Sequence, residues 1–348
     1  MPSVSSRVIR FHETGEPFDV LRQERIEIPD PPSGRVRVRV LAAGLNPADW
    51  ELCRGFMPGT LPRGIGYDVA GIIDALGPDV ANIDRSPGAD SEPDREPGSG
   101  TGVGSVGVGV GIGDVVFGTA DFVGQPSAGA ADVAILNSWF RIPDGLDPVQ
   151  AATLPMVVQT AAWTLELMDL RPGATLLVHG AGGMVGYAAV QIALSHGAHV
   201  IATAGPTFTA DLEGFGARVT PYGDGMPARV RALTDGHDVD LVLDTPRPSP
   251  GTLPDLIALA GGDPRRVVTI SNHEEARNLG ARVNIDERRP DLTPPTVLLP
   301  QYASLAAQGT FRLPIAKSYP LDQWRDAVHL SLAGNPHGKV VLLPGLNE

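Results

Sequence analysis

Cysteine and lysine are nearly absent from this chain of 348 residues, which has one cysteine, Cys53, and two lysines, Lys317 and Lys339. A single cysteine cannot form an internal disulfide or supply the four thiolates of a structural zinc lobe. A reducing, cytoplasmic setting is therefore the simplest expectation. The chain also lacks an apolar run of membrane-spanning length and an apolar signal core near residue 1, so we expect no membrane association.

Basic charge is scarce as well. Lysine and arginine total 27 residues against 40 of aspartate and glutamate, which gives a net charge of −13. This balance argues against nucleic acid or an anionic membrane surface as a partner. The apolar share of 42% and the length of the chain predict two globular domains with ample cores.

The most informative stretch runs from Thr175 to Ala204. Residues 175–179 are rich in strand-forming side chains, and four glycines follow between Gly180 and Gly186. Apolar residues then recur at helical spacing up to residue 193, and a second strand is predicted at 199–202. This order predicts the opening of a Rossmann domain, in which a doubly wound parallel sheet binds a dinucleotide.

The glycine turn has the properties that a diphosphate site requires. Small residues allow a sharp bend and the close approach of a phosphate, and the following helix presents backbone amides to it. We predict that the diphosphate contacts Ala181, Gly182, Gly183, Met184, Val185 and Gly186. The alternative is a tight strand-to-helix turn that binds no ligand.

Strands and helices continue to alternate from residue 204 to residue 270, as a parallel sheet requires. In such a sheet the carboxyl ends of the strands face the ligand. Further candidate cofactor-binding residues are therefore Ala204, Gly205, Asp244, Thr245, Ser271 and Asn272. Near Ala204 and Gly205 the sequence lacks the acidic residue that typically binds the ribose of NAD.

The first 170 residues follow other patterns. Valine and arginine alternate over 35–40, which predicts a strand with its valines in the core and its arginines in solvent. Residues 84–112, rich in glycine, proline and acidic residues and then in Gly-Val repeats, are interpreted as a surface insert. One helix is predicted over 148–169.

Several motifs together resemble those of one enzyme family. They include Ala43-Gly44-Leu45-Asn46-Pro47, Gly66-Tyr67-Asp68, Leu154-Pro155, the glycine turn and Gly338-Lys339-Val340-Val341-Leu342. They are similar to the medium-chain dehydrogenase/reductase superfamily, in its zinc-independent, zeta-crystallin-like quinone oxidoreductase branch. The resemblance implies a GroES-like β domain over 1–158, completed by 297–348, and a Rossmann domain over 159–296. It also implies an active site in the cleft between the domains and leaves a homodimer open.

The resemblance allows the question of zinc to be addressed. Zinc-dependent relatives place a cysteine near position 46 and a histidine near position 67, where this chain has Asn46 and Tyr67. Its eight histidines offer no other cluster. The implied reaction is therefore metal-free hydride transfer from a reduced nicotinamide to a hydrophobic quinone or α,β-unsaturated carbonyl substrate. A zinc alcohol dehydrogenase is nearly excluded.

The resemblance implies NADPH as the cofactor, with Thr160 near the nicotinamide and Tyr222 near the adenosine phosphate. NADH, or no cofactor, stays open, because Met184 replaces a glycine usual in the family and no basic residue follows the second strand before Arg218. For Thr160, a hydroxyl bonded to the preceding helical turn is an equal alternative.

Asn46 and Tyr67 are the candidate catalytic residues. Asn46 is interpreted as a hydrogen-bonding partner of the substrate carbonyl or the nicotinamide ribose, and Tyr67 as a proton donor or a packed tyrosine. Lys339 is expected at the surface. A pocket for a flat, apolar substrate, or ordinary core, is predicted from Trp50, Phe56, Met57 and Trp139. The alternative function is a cofactor-degenerate family member that acts as a non-redox enzyme or binding protein.

Overall fold

The structure is a computed structural model that describes residues 3–81, 106–107, 109–121, 125, 127–249, 251–292, 294–334 and 336–345. Most of the predicted insert at 84–112 lies outside the described residues. The chain forms two compact units, one of Met1–Met156 with Thr296–Glu348 and the other of Val157–Pro295. Within the described ranges, no helix has both the length and the apolar character that crossing a membrane demands.

The first unit begins with short strands and helices. Its strands up to residue 141 are β1 (Val4–Phe11), β2 (Leu21–Ile28), β3 (Val36–Leu45), β4 (Arg63–Gly64), β5 (Asp68–Leu76), β6 (Val106–Gly107), β7 (Val115–Ala120) and β8 (Val133–Arg141). Its helices are α1 (Pro17–Val20), α2 (Pro47–Cys53) and α3 (Pro148–Ala151). Because β3 pairs with both β5 and β8, and β7 bridges those two, these four strands close into a ring.

The second unit is built on a parallel sheet. Its strands are β9 (Thr175–His179), β10 (His199–Thr203), β11 (Arg218–Thr220), β12 (Leu241–Asp244), β13 (Val267–Thr269) and β14 (Arg282–Val283). Its helices are α4 (Pro155–Leu167), which begins in the first unit, α5 (Met184–Ser195), α6 (Pro206–Phe215), α7 (Met226–Leu233), α8 (Thr252–Leu259) and α9 (His273–Leu279). The spatial order β11-β10-β9-β12-β13-β14 is that of a doubly wound sheet and confirms the predicted Rossmann class.

The last part of the chain returns to the first unit. It forms α10 (Leu299–Ala307), β15 (Ile315–Pro320), α11 (Trp324–Leu332) and β16 (Lys339–Leu343). β16 pairs antiparallel with β3, with Val341 opposite Gly44. The C-terminal strands therefore extend the sheet that the N-terminal residues begin, which confirms the GroES-like part of the predicted fold.

Two local predictions are wrong for identifiable reasons. Arg37 was expected in solvent but is 5% exposed, because its Nε donates to Asp74 Oδ1 at 2.9 Å and its Nη1 to the carbonyl oxygen of Pro29 at 3.1 Å. The single helix expected over 148–169 is divided into α3 and α4. Pro155 has no amide hydrogen and disfavours helical dihedrals at Leu154, so the first helix ends before it.

Candidate functional site

A glycine turn joins β9 to α5 in the second unit. Gly180 has a φ of +82°, and a Cβ there would lie 2.7 Å from Pro246 Cδ. A Cβ on Gly186 would lie 2.7 Å from the carbonyl oxygen of Gly180, so the first turn of α5 packs directly on the end of β9. Packing within the chain therefore requires glycine at both positions.

Gly182 is not required by its neighbours in this way. A Cβ on Gly182 would meet no atom of the described residues within 4 Å, and its φ lies outside the left-handed region. The side chain of Met184, which is half-buried, therefore does not fill this space. At Gly183 the nearest atom to an added Cβ is the carbonyl oxygen of Gly180, at an ordinary 3.5 Å. The turn is open where the sequence predicts a diphosphate.

The start of α5 directs backbone donors towards this opening. Gly183 is the N-cap residue, with φ −83° and ψ 153°, and it has no side chain to occupy the first-turn amides. Val185 is half-buried in that turn, whereas Ala181 is buried and donates its amide to the carbonyl oxygen of Thr203 at 2.9 Å. Ala181 thus anchors the turn, and the free helix end fits an anionic group such as a diphosphate.

A pocket of about 280 Å³ lies at the ends of β10 and β11, where a doubly wound sheet holds an adenosine ribose. It is lined by Ala204, Gly205, Pro206, Thr209, Val219, Thr220, Pro221 and Tyr222. None of these lining residues is charged, so the pocket presents neither an acid for ribose hydroxyls nor a cation for a 2′-phosphate. Tyr222 is 58% exposed and leaves its ring accessible from solvent.

Arg229 is a cation beside this pocket that the sequence analysis missed. Its Nε donates to Thr220 Oγ1 at 3.2 Å, and its Nη1 and Nη2 donate to the carbonyl oxygens of Asp224 and Pro221 at 2.8 and 2.9 Å. The guanidinium therefore fixes the loop after β11 through the carbonyl oxygens of that loop. No local pattern signals this contact, because Arg229 lies in the following helix, α7.

The strand-end residues are bonded mainly to one another. Asp244 is 4% exposed; His179 Nδ1 lies 2.8 Å from its Oδ1, and Thr269 Oγ1 donates to its Oδ2 at 2.8 Å. Both carboxylate oxygens are thus engaged inside the sheet, which argues against the predicted direct contact between Asp244 and a cofactor. Thr245 Oγ1 donates to the carbonyl oxygens of His179 and Gly180, at 2.8 and 3.1 Å.

Two other predicted cofactor contacts, Ser271 and Asn272, have internal side-chain partners as well. Ser271 Oγ donates to the carbonyl oxygen of Pro246, and Asn272 Nδ2 donates to Glu275 Oε2 at 2.5 Å. Thr160 is half-buried on α4, where its carbonyl oxygen accepts the hydroxyl of Thr164 at 2.7 Å. The roles of Ser271, Asn272 and Thr160 towards a cofactor stay predictions.

In the first unit, Asn46 belongs to a buried polar cluster with Asp68 and Lys339. Lys339 Nζ donates to Asn46 Oδ1 at 2.6 Å and to Asp68 Oδ2 at 2.9 Å, and Asn46 Nδ2 donates to Asp68 Oδ2 at 3.0 Å. The amide of Met156 donates to Asp68 Oδ1 at 2.7 Å. Lys339 is only 3% exposed, so the expectation of a surface lysine is wrong. Asn46, also 3% exposed, has its amide turned into this cluster.

Asp49 extends the cluster towards the turn before β5. Its two oxygens accept the amides of Asn46 and Gly66, at 2.7 and 2.8 Å. Burial raises the pKa of Asp49 to about 6, although these two amides act in the opposite direction. Burial also raises the pKa of Asp68, against the lowering effect of the Lys339 ammonium. The cluster thus holds two strongly desolvated carboxyl groups.

The predicted aromatic pocket is not assembled as expected. Trp50 and Trp139 are 1% and 4% exposed and belong to the core of the first unit, where Trp50 Nε1 donates to Ser331 Oγ at 2.9 Å. Phe56 and Met57 are exposed by 46% and 43%. Met57 lines a pocket of about 400 Å³ together with Phe11, Leu52, Arg54, Leu61 and Arg63. Tyr67 is half-buried directly before Asp68.

The described residues contain no group of three or more histidine, cysteine, aspartate or glutamate side chains that could hold a metal ion. At positions 46 and 67 the side chains are an amide and a phenol, and the neighbouring carboxylate of Asp68 is bonded to an ammonium. This donor set does not fit a zinc site, which takes thiolate, imidazole or carboxylate ligands.

Two family models match the chain. Residues 32–86 match the GroES-like domain of alcohol dehydrogenases, and residues 215–342 match a zinc-binding dehydrogenase model. Together the two matches include segments of both structural units.

Similarity to individual proteins agrees with these matches. The chain is 32% identical over 204 residues to the quinone oxidoreductase of Rattus norvegicus, covering 57% of this chain and 53% of the rat protein. It is 32% identical over 218 residues to erythronolide synthase EryA2 of Saccharopolyspora erythraea, covering 61% of this chain and 5% of that protein. The chain thus spans about half of one relative and a small part of the other.

A solved structure extends the likeness to the whole fold. The CurK enoyl reductase superposes with a TM-score of 0.73 at 22% identity, covering 97% of this chain and 99% of the other. At this identity the comparison establishes the shared fold.

Proposed function

Because the chain belongs to the medium-chain dehydrogenase/reductase superfamily, in its quinone oxidoreductase branch, we propose that it is a nicotinamide-dependent, zinc-independent reductase. Its proposed substrates are hydrophobic quinones or α,β-unsaturated carbonyl compounds, of the enone or enoyl type. This substrate class follows from the similarity in sequence to the rat quinone oxidoreductase and in fold to the CurK enoyl reductase.

The observation that carries the proposal is the open space at Gly182. Where the backbone conformation is compatible with alanine, glycine costs about 0.4–1 kcal/mol of stability relative to it, because it leaves the unfolded chain more freedom. At Gly180 and Gly186 contacts within the chain account for the glycine, whereas at Gly182 neither a neighbouring atom nor a left-handed φ does. Gly214 on α6 is equally open, but Gly182 lies just before the N-terminus of α5, where a ligand that approaches the backbone accounts for the glycine.

The residues of the chain have four roles in this proposal. The first-turn amides of α5 bind the diphosphate, and the pocket around Tyr222 holds the adenosine. When bound, the reduced nicotinamide supplies a hydride to the electron-poor carbon of the substrate. Tyr67 or water supplies the proton that completes the reduction. Asn46 orients the turn before α2 through its bonds to Asp68 and Lys339.

NADPH is the proposed cofactor, on family grounds, with NADH as the alternative. The residues that line the adenosine pocket include no acidic side chain, which supports NADPH, because a carboxylate there would repel a 2′-phosphate. The lack of a cation in the same lining limits how strongly NADPH is preferred. The ratio of the dissociation constants for the two cofactors measures this preference.

Fluorescence titration with NADPH and NADH tests the proposal. Saturable binding is expected, and Gly182→Asp should abolish it by placing a carboxylate in the phosphate space. Gly214→Asp is the matched control, since a Cβ on Gly214 also meets no described atom within 4 Å but lies on α6, away from the turn. Binding that survives Gly182→Asp would contradict the assigned site.

Zinc independence has its own measurement. The proposed enzyme should retain quinone or enone reduction after exhaustive chelation, and metal analysis should find no stoichiometric zinc. One zinc per chain, with activity lost on its removal, would instead support the zinc-dependent relatives' chemistry.

A homodimer is proposed by analogy with the family, and light scattering of the purified chain tests it.

The second candidate is a cofactor-degenerate member that acts as a binding protein or a non-redox enzyme. The uncharged adenosine pocket and the engaged side chain of Asp244 favour it. It predicts that neither dinucleotide saturates the protein at millimolar concentration. That result would remove the redox proposal and leave the fold intact.

A further inference from the structure

A row of polar side chains crosses the carboxyl edge of the parallel sheet. In the register of the sheet, Thr220 of β11 lies opposite Thr203 of β10. Asp244 of β12 lies opposite His179 of β9 on one side and opposite Thr269 of β13 on the other. Thr203 and His179 are also neighbours across β10 and β9, because each directly follows a member of the register pair Ala202–Val178. All five are 7% exposed or less. Buried polar groups are costly unless they are bonded, so this row requires an internal network.

Hydrogen bonds connect the row from β9 through β12 and β13 to the loop at 271–272. His179 Nδ1 lies 2.8 Å from Asp244 Oδ1, and Thr269 Oγ1 donates to Asp244 Oδ2 at 2.8 Å. Since a carboxylate only accepts, we assign the donated proton to His179 Nδ1. Thr269 Oγ1 in turn accepts the amides of Ser271 and Asn272, at 3.3 and 3.1 Å. A continuous chain of hydrogen bonds thus runs from β9 to the loop after β13.

His179 is also the last residue before the glycine turn. Its carbonyl oxygen accepts both the amide and the hydroxyl of Thr245, at 3.1 and 2.8 Å. One residue therefore contacts the turn that would hold the diphosphate, the loop after β12 and, through Asp244 and Thr269, the loop at 271–272. The adenosine pocket, which β10 and β11 form, has none of these bonds among its lining residues.

We propose that His179 is a positioning residue for the nicotinamide half of the cofactor. Through Asp244 and Thr269 it fixes the backbone of Ser271 and Asn272, at the strand end where the nicotinamide carboxamide is expected. This inference rests on the proposed function. Its consequence is a division of the binding energy: loss of His179 weakens the nicotinamide half and leaves the adenosine half unchanged.

Calorimetric titration with two ligands tests this division. NADPH reports both halves, and 2′,5′-ADP reports only the adenosine half; NADH and ADP replace them if the parent protein prefers NADH. His179→Leu should weaken NADPH binding by about tenfold, the size expected if the displaced backbone at 271–272 loses roughly one hydrogen bond to the nicotinamide, with 2′,5′-ADP binding unchanged. His179→Asn places an amide nitrogen near the position of Nδ1 and should restore most of the lost affinity.

Two further variants keep the test independent of the folding of His179→Leu. Thr269→Val is nearly isosteric, removes the link to Ser271 and Asn272, and should produce the same selective loss. His199→Leu changes an exposed histidine at the opposite end of the neighbouring strand, β10, and should change neither affinity.

Equal losses for both ligands, or no recovery with His179→Asn, would overturn the positioning role. A Thr269→Val protein that binds NADPH as tightly as the parent would do the same. A parent protein that binds neither ligand would instead refute the proposed function, and this inference with it.

Discussion

Asp68 and Lys339 form a fully buried ion pair in the first unit. Lys339 Nζ lies 2.9 Å from Asp68 Oδ2, and the side chains are 3% and 0% exposed. The two residues belong to β16 and β5 and are 271 positions apart in sequence. We predict that Lys339→Met, which keeps the length of the side chain and removes its charge, strongly destabilises this unit.

The magnitude follows from the burial of the partner. Removing one member of a buried pair leaves an uncompensated charge and typically costs about 3–5 kcal/mol. Typical domains have about 5–15 kcal/mol of stability in total, so the expected loss is a large share of it. Asp68→Asn should cost a similar amount, because it leaves the Lys339 ammonium buried without its carboxylate.

The double variant and the pH dependence separate charge from packing. Lys339→Met with Asp68→Asn removes both charges of the pair, so its cost should fall below the sum of the single costs by about 2 kcal/mol or more. In Lys339→Met the pKa of Asp68, already raised by burial, should rise further. An acid with a raised pKa in the folded state destabilises that state as pH rises, so the single variant should recover stability on acidification.

Urea unfolding followed by tryptophan fluorescence measures these free energies. Three of the four tryptophans, Trp50, Trp139 and Trp324, lie in the first unit, so the signal reports mainly on its unfolding. Lys317→Met is the matched control, because Lys317 is exposed and its loss should change stability little. Additive costs of the two single variants would show that the charges do not interact, and the reasoning would fail.

Three further results are expected. Because burial raises the pKa of Asp49 to about 6, its contribution should make the free energy of unfolding fall by up to about 3 kcal/mol as pH rises from about 4 to 6; Asp49→Asn should remove this part of the slope, measured by urea unfolding across that range. Gly186→Ala should lower the melting temperature, because its Cβ would lie 2.7 Å from a backbone oxygen, whereas Gly182→Ala should raise it slightly in calorimetry. Cys53 is buried with its pKa raised to about 12, so a thiol reagent should modify it only after denaturation; rapid labelling of the native protein would contradict this.

The second unit could be predicted largely from local sequence. The glycine turn, the apolar strands and the helical spacing all report on neighbours within a few residues, and the observed sheet order agrees with them. The division of the predicted helix at 148–169 is also a local effect. Pro155 lacks an amide hydrogen, and this property of the sequence predicts the break.

The engagement of the site residues could not be predicted in the same way. Whether Lys339 is exposed depends on a carboxylate in a distant strand, and whether Asp244 is available depends on the register that brings it beside His179. The alternation of valine and arginine over 35–40 predicts that Arg37 lies on the face opposite the valines. It does not reveal Asp74, which lies on the adjacent strand β5 and accepts a hydrogen bond from Arg37. In each case a long-range ion pair or hydrogen bond reverses the expectation that the residue type alone gives.

The cation at Lys339 also bears on how a substrate carbonyl would be polarised. An ammonium nitrogen donates hydrogen bonds but has no vacant orbital, so it can neutralise Asp68 without accepting a lone pair from substrate as a zinc ion does. The Lys339 ammonium donates to both Asn46 and Asp68. We therefore expect another hydrogen-bond donor in this part of the chain to polarise the substrate carbonyl. Tyr67 directly precedes Asp68, and its phenol is the donor that we expect to matter. Tyr67→Phe should therefore lower kcat for enone reduction and leave the dissociation constant for NADPH unchanged, whereas equal kcat values would assign the proton to water.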